Sequence, residues 1–155
     1  MSVDILLTQA ELDYALISSV ARQEDAKAKG YKHKYDNKHL SADEINHYNF
    51  VGCCAELAVA KWLKVPNFAL TINTYKEQPD VEPYWEVKHS EYANAHLIIK
   101  DNDRDDNRAV LVTGLNPFTI RGWLPVKYCK DDMYLKTTIQ NSAYWVPQNE
   151  LVKVG

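Results

Sequence analysis

The 155-residue chain lacks a cysteine framework: Cys53, Cys54 and Cys129 are odd in number, two are adjacent, and no Cys-x-x-Cys pair occurs. That excludes a disulfide scaffold and a zinc knuckle, and the expectation is a reducing cytoplasm. Also lacking are a basic N-terminal region leading into an apolar run and any apolar stretch of bilayer-spanning length. A soluble protein with no membrane partner is therefore expected. Positive charge is not in excess, since 18 Lys and Arg face 21 Asp and Glu for a net charge of -3. A polyanion would have to be held by a local basic patch or by a bound metal. His33, His39, His47, His89 and His96 contain no His-Glu-x-x-His spacing, Ser90 has no nucleophile-elbow pattern, and there is no repeat or low-complexity tract. What remains, 46% hydrophobic and 25% charged residues, suffices for a real core, and one domain over residues 1–155 is expected.

Two helices come first. Leu12, Ala15, Leu16, Ser19 and Val20 recur at spacings of three and four between Thr8 and Lys29, with Gly30 as a stop. Ser41 and Glu44 have capping-box spacing, and the helix they open is predicted to end near Leu63 or Lys64, before Pro66. Between the helices, Tyr31 to His39 interleaves basic and aromatic side chains. Lys32, Lys34 and Lys38 are candidate phosphate contacts and Tyr31 and Tyr35, with the distant Tyr92, candidate stacking platforms. A solvated linker is the competing reading of that connector.

Strands follow. Phe68 to Tyr75 is β-favouring, and Leu97-Ile98-Ile99 and Val110-Leu111-Val112 flank the acidic turn from Asp101 to Asn107, which reads as a hairpin with a charged tip. A calcium loop is excluded there, because its sixth position is Asp106 rather than glycine and its twelfth is Val112 rather than glutamate. Thr119 to Leu124 is another predicted strand and Tyr144 to Pro147 a short one. Helices followed by strands indicate an α+β fold.

The segment Pro79-Asp80-Val81-Glu82-Pro83-Tyr84-Trp85-Glu86-Val87-Lys88 carries the chemistry. Alternation puts Glu86 and Lys88 on one strand face and Trp85, Val87 and His89 on the other, while Pro83 permits a bend that folds Asp80 back towards Glu86. Two carboxylates beside an amine suit a magnesium-type site, with the Val87 backbone carbonyl as a third oxygen. Upstream, Glu56 shares a helix face with Gly52, Cys53, Val59, Ala60 and Leu63, none of them charged. An ionised carboxylate there needs an ion-pair partner, such as an arginine, or a place in a site. The small residues leave room for close approach of a sheet, which favours the site.

Gly52-x-x-x-Glu56-x-Ala58, then Pro79-Asp80, Glu86-Val87-Lys88 and Gly122-Trp123, resembles the PD-(D/E)xK nuclease superfamily, especially its small phage-type members, over roughly Asn49 to Leu124. The resemblance implies a restriction-endonuclease-like core, with two N-terminal helices packed on a small mixed sheet. It implies a Mg²⁺- or Mn²⁺-dependent deoxyribonuclease acting in the cytoplasm, that of the host if the chain is phage-encoded. Asp80 and Glu86 become metal ligands with the Val87 carbonyl, Lys88 the catalytic lysine, and Glu56 a helix carboxylate acting directly or through water. Ser90 or Glu91 stands where the family often has a further polar residue. DNA is the first expected partner and RNA the second, and a homodimer able to cut both strands is one allowed assembly. The alternative is a non-catalytic module that keeps the fold and binds nucleic acid or protein.

Overall fold

In the computed structural model, residues 2–30, 41–72, 78–138 and 141–155 are described. Helix α1, Gln9–Lys29, starts where Thr8 and Glu11 form a reciprocal capping box and stops at Gly30, whose φ of 70° is the left-handed C-cap that glycine adopts without strain. Helix α2, Ala42–Trp62, opens on the equivalent Ser41 and Glu44 box. Both starts were legible because the signal is local. Residues Cys53 to Ala60 of α2 are buried without a break, as expected of a helix covered on every side. On α1, Ala15, Ser18 and Ser19 are the buried positions, small enough to let the two helices approach closely. Lys61, near the end of α2, donates to the Leu6 carbonyl and pairs with Glu11, fastening that end to the start of α1.

Two sheets follow. Strands β1 (Val3–Ile5), β2 (Trp85–Ser90), β4 (Arg108–Thr113) and β5 (Phe118–Pro125) form a mixed sheet in the order β1-β5-β4-β2. Here β2 and β4 run parallel and the other pairs antiparallel. Strands β3 (Leu97–Ile99), β6 (Leu135–Thr137) and β7 (Ser142–Val146) form a smaller antiparallel sheet, β3-β7-β6. The short helix α3, Val126–Cys129, continues from β5.

The architecture is thus α+β, with two N-terminal helices preceding a mixed sheet. Alternation along β2, β4 and β5 divides the interior. Trp85, Val110, Val112, Phe118 and Ile120 pack with both helices, whereas Ala109 and Leu111 turn to the other face and meet β3, β7 and α3. Trp62, Trp85 and Trp123 meet edge to face in the first core. The Arg108 guanidinium lies 4.2 Å from the Tyr84 ring centre and 5.0 Å from that of Trp123. No described helix is long and apolar enough to cross a membrane.

Two predicted elements need correction. Leu97–Ile99 and Arg108–Thr113 are not a hairpin: β3 pairs with β7, and β4 lies between β2 and β5. All of Ala109 to Thr113 is buried, so the apolar run is that of a central strand covered on both faces. Phe68 to Ile72 is not a strand either. Its backbone is taken up by α1 side chains, with the Tyr14 hydroxyl accepting from the Leu70 N–H and Arg22 donating to the Thr71 carbonyl. The remainder of that segment, residues 73–75, lies outside the described residues, as do Lys32, Lys34, Lys38, Tyr31 and Tyr35.

Candidate functional site

Strand β2 is an edge strand, and its backbone groups divide by parity. The Tyr84 and Ser90 carbonyls accept from Arg108 and Gly114 beside β4, so the groups of Trp85, Val87 and His89 face the outer edge. Trp85 is met there by Val81, which bonds both its N–H and its carbonyl. The Val87 N–H donates to Asp80 Oδ2 at 2.8 Å. The chain therefore bends between Asp80 and Trp85 and returns the carboxylate to the middle of Glu86-Val87-Lys88, on the edge from which the Val87 carbonyl also projects.

Glu86 and Lys88 leave the strand on the face opposite the helices. Glu86 is buried, and its Oε1 accepts from Asn107 Nδ2 at 3.0 Å. Lys88 Nζ donates to both oxygens of Asp103, at 3.0 and 3.1 Å. Asp103 is itself buried and also accepts from the Lys100 N–H at 2.8 Å. Burial of these carboxylates is tolerable because each has donors close by. Ser90, at the end of the same face, accepts through its hydroxyl from the Tyr92 N–H. Glu91 pairs with His47. Tyr92 is 75% exposed. His89 turns to the helix side, with its ring near Phe118 and its Nε2 on the Gly114 carbonyl.

Glu56 has an arginine partner. Arg22 of α1 reaches it with two parallel bonds of 3.0 and 3.1 Å, the fork geometry that matches guanidinium to carboxylate. Burial works to lower the Arg22 pKa, but the bonds and charge of Glu56, with smaller help from Cys53 and Asp80, hold it raised. The Cys53 thiol beside this pair is pushed up to about 12 by burial, with the charges of Glu56 and Asp80 adding and that of Arg22 opposing. Asp80 thus lies within electrostatic reach of the Arg22–Glu56 pair. That pair sits on the helix side of the sheet, whereas Glu86 and Lys88 project from the other. Asp80, at the outer edge, stands between the two sides.

The arrangement brings Asp80 to the backbone of the motif and keeps Glu86 and Lys88 on a common face. It does not carry Glu56 to that face. Among the described residues no three His, Cys, Asp or Glu side chains converge as a metal-holding group. Three partners escaped the sequence reading: Arg22, Asp103 and Asn107. Arg22 answers the open question of an arginine for Glu56. Asp103 and Asn107 lie in the acidic turn that reads from sequence as the charged tip of a hairpin, and only the parallel pairing of β2 with β4 brings that turn against the motif. The chain matches no family model, no curated protein and no solved structure, so the chemistry rests on the residues themselves.

Proposed function

We propose that the protein is a divalent-cation-dependent nuclease of the PD-(D/E)xK type, with a restriction-endonuclease-like core and DNA before RNA as its substrate. The observation that supports this most is the 2.8 Å bond from the Val87 N–H to Asp80. It draws a carboxylate six positions upstream of Glu86 back to the strand that bears Glu86 and Lys88. The donor set fits Mg²⁺ or Mn²⁺: two carboxylates, Asp80 and Glu86, and one backbone carbonyl, Val87, are hard oxygen ligands. Magnesium characteristically uses one or two carboxylates and takes its remaining ligands from water and substrate phosphate. When bound, such an ion neutralises phosphoryl charge and lowers the pKa of a bound water.

The protein's own groups then divide the work. Asp80 and Glu86 hold the cation, which requires Glu86 to share or exchange its Asn107 contact. The Lys88 ammonium orients the attacking water or donates to the phosphoryl oxygen on which charge develops. Glu56, the helix carboxylate, is held by Arg22 on the helix side and would therefore act only through water, around the β2 edge. Ser90 would meet the phosphate path beyond Lys88.

The test is Mg²⁺-dependent nicking of plasmid DNA by the wild type, Asp80→Asn and Glu86→Gln, together with calorimetric titration of Mn²⁺. Asp80→Asn keeps an oxygen for the Val87 N–H, so its fold should be unaltered. Cleavage is expected to fall by about 10²-fold or more, a size typical for loss of a catalytic electrostatic contact, with loss of saturable Mn²⁺ binding. Undiminished cleavage in both variants would refute the assignment. One observation favours a second reading, a non-catalytic binding module that retains the fold: Glu56, Glu86 and Lys88 are each already engaged by a protein partner. A wild type that shows no saturable Mn²⁺ binding supports that reading.

A further inference from the structure

We infer that Asp103 positions Lys88 for the reaction, an inference that rests on the nuclease reading above. The Asp103 side chain is 1% exposed against 27% for Lys88, so the carboxylate belongs to the interior and the amine to the rim. A buried carboxylate is costly unless its oxygens are satisfied. Here Lys88 Nζ contacts both oxygens at 3.0 and 3.1 Å, and the Lys100 N–H contacts one of them at 2.8 Å.

The turn that carries Asp103 is fastened independently. The Asp103 N–H donates to the Lys100 carbonyl and the Asn107 N–H to that of Arg104. From outside the turn, Lys130 Nζ donates to the carbonyls of Asp101 and Asp103 at 2.9 and 2.7 Å and pairs with Asp105. Lys130 follows α3, so the grip on the turn comes from a packed element. The same turn sends Asn107 to Glu86 at 3.0 Å, and one segment therefore holds both motif side chains.

A lysine amine sits on a flexible four-carbon stem, and its use in catalysis depends on removing that freedom beforehand. Asp103 does so with two contacts. An ammonium has three N–H donors, and pairing with two oxygens leaves a third for a phosphoryl oxygen or the attacking water. Asp103 touches neither, so its role is to position.

Asp103→Asn preserves size and an acceptor for the Lys100 N–H but substitutes an amide nitrogen, which cannot accept from Lys88, for one carboxylate oxygen. In Mg²⁺-dependent nicking, kcat is expected to fall by at least about tenfold with KM unchanged. Saturable Mn²⁺ binding, which depends on Asp80 and Glu86, should persist. A readout apart from activity is the Nζ–Hζ correlation of ¹⁵N-lysine-labelled protein, assigned with Lys88→Arg. A protected Lys88 signal is expected in the wild type and its loss in Asp103→Asn. A wild type without that signal overturns the inference even if Asp103→Asn fails to fold. Wild-type kcat in Asp103→Asn, with Asp80→Asn inactive, overturns the inference alone. A wild type that never cuts overturns the nuclease reading and this inference with it.

Discussion

Glu56 and Arg22 pose the sharpest question at the level of single residues, because a bidentate buried pair can be structural, functional or both. Removing one partner strands the other charge in a poorly solvated place, whereas replacing both with apolar groups removes the desolvation cost as well. Arg22→Met is therefore expected to lower the unfolding free energy by about 3–5 kcal/mol, and Arg22→Met with Glu56→Leu to recover most of it, as read by urea denaturation. If the double variant also binds Mn²⁺ and cleaves as the wild type does, Glu56 serves only the fold. Both readings were visible in the sequence, since a carboxylate among Gly52, Cys53, Val59 and Ala60 must be compensated somehow. Which partner compensates it was not visible. Arg22 lies 34 positions away, and nothing in a linear pattern selects it before α1 and α2 are known to pack together.

Both helices and the strands at Trp85–Ser90, Leu97–Ile99, Arg108–Thr113, Phe118–Pro125 and Ser142–Val146 lie where local pattern puts them, whereas which strand pairs with which was not legible, and the β-favouring run from Phe68 misled. The apolar spacing from Thr8 with the Gly30 stop, and the Ser41–Glu44 capping box, fix α1 and α2 within a few residues. The acidic turn misled because two apolar runs around a polar tip look like a hairpin, although an unbroken buried run such as Ala109 to Val112 is better suited to a central strand. Gly122 gives the element scale its own test. The register of β4 and β5 shifts between Leu111 and Val112, and beyond that bulge Trp123 bridges to Val152. A Cβ at position 122 would stand 2.7 Å from Leu151 Cβ and 2.9 Å from the Val152 carbonyl oxygen, and the φ of 156° adds strain. Gly122→Ala is expected to cost about 1–3 kcal/mol, in the range of overpacked cores, and to make residues 148–155 more accessible to protease. The glycine of the Gly-Trp pair thus has a packing reason independent of any chemistry.

For the whole molecule, the three cysteines tie stability to pH. All are free and buried, and burial, the main cause, pushes each thiol up to about 12. A pKa raised in the folded state favours the neutral thiol there. Its contribution is fully present below the ordinary thiol range near 8.5 and is lost as pH climbs towards 12. Each thiol can withdraw up to about 1.4 kcal/mol per pH unit in that interval. The urea midpoint is expected to hold steady between pH 7 and 8 and to drop progressively between pH 9 and 11, with thiol labelling slow until the protein unfolds. A midpoint unchanged to pH 11 would contradict this account of the buried thiols.

The return of Asp80 to the β2 backbone has one more consequence. An uncovered edge strand is a template on which another chain can add, and β2 is the edge next to the motif. Val81 takes the Trp85 position of that edge and Asp80 the Val87 position. The residue proposed to hold the cation is thus also a stopper against edge-to-edge association. Discarding its side chain would uncover a strand at the same moment as it emptied the site, and precipitation could then be mistaken for loss of catalysis. Asparagine, which keeps the acceptor, separates the two.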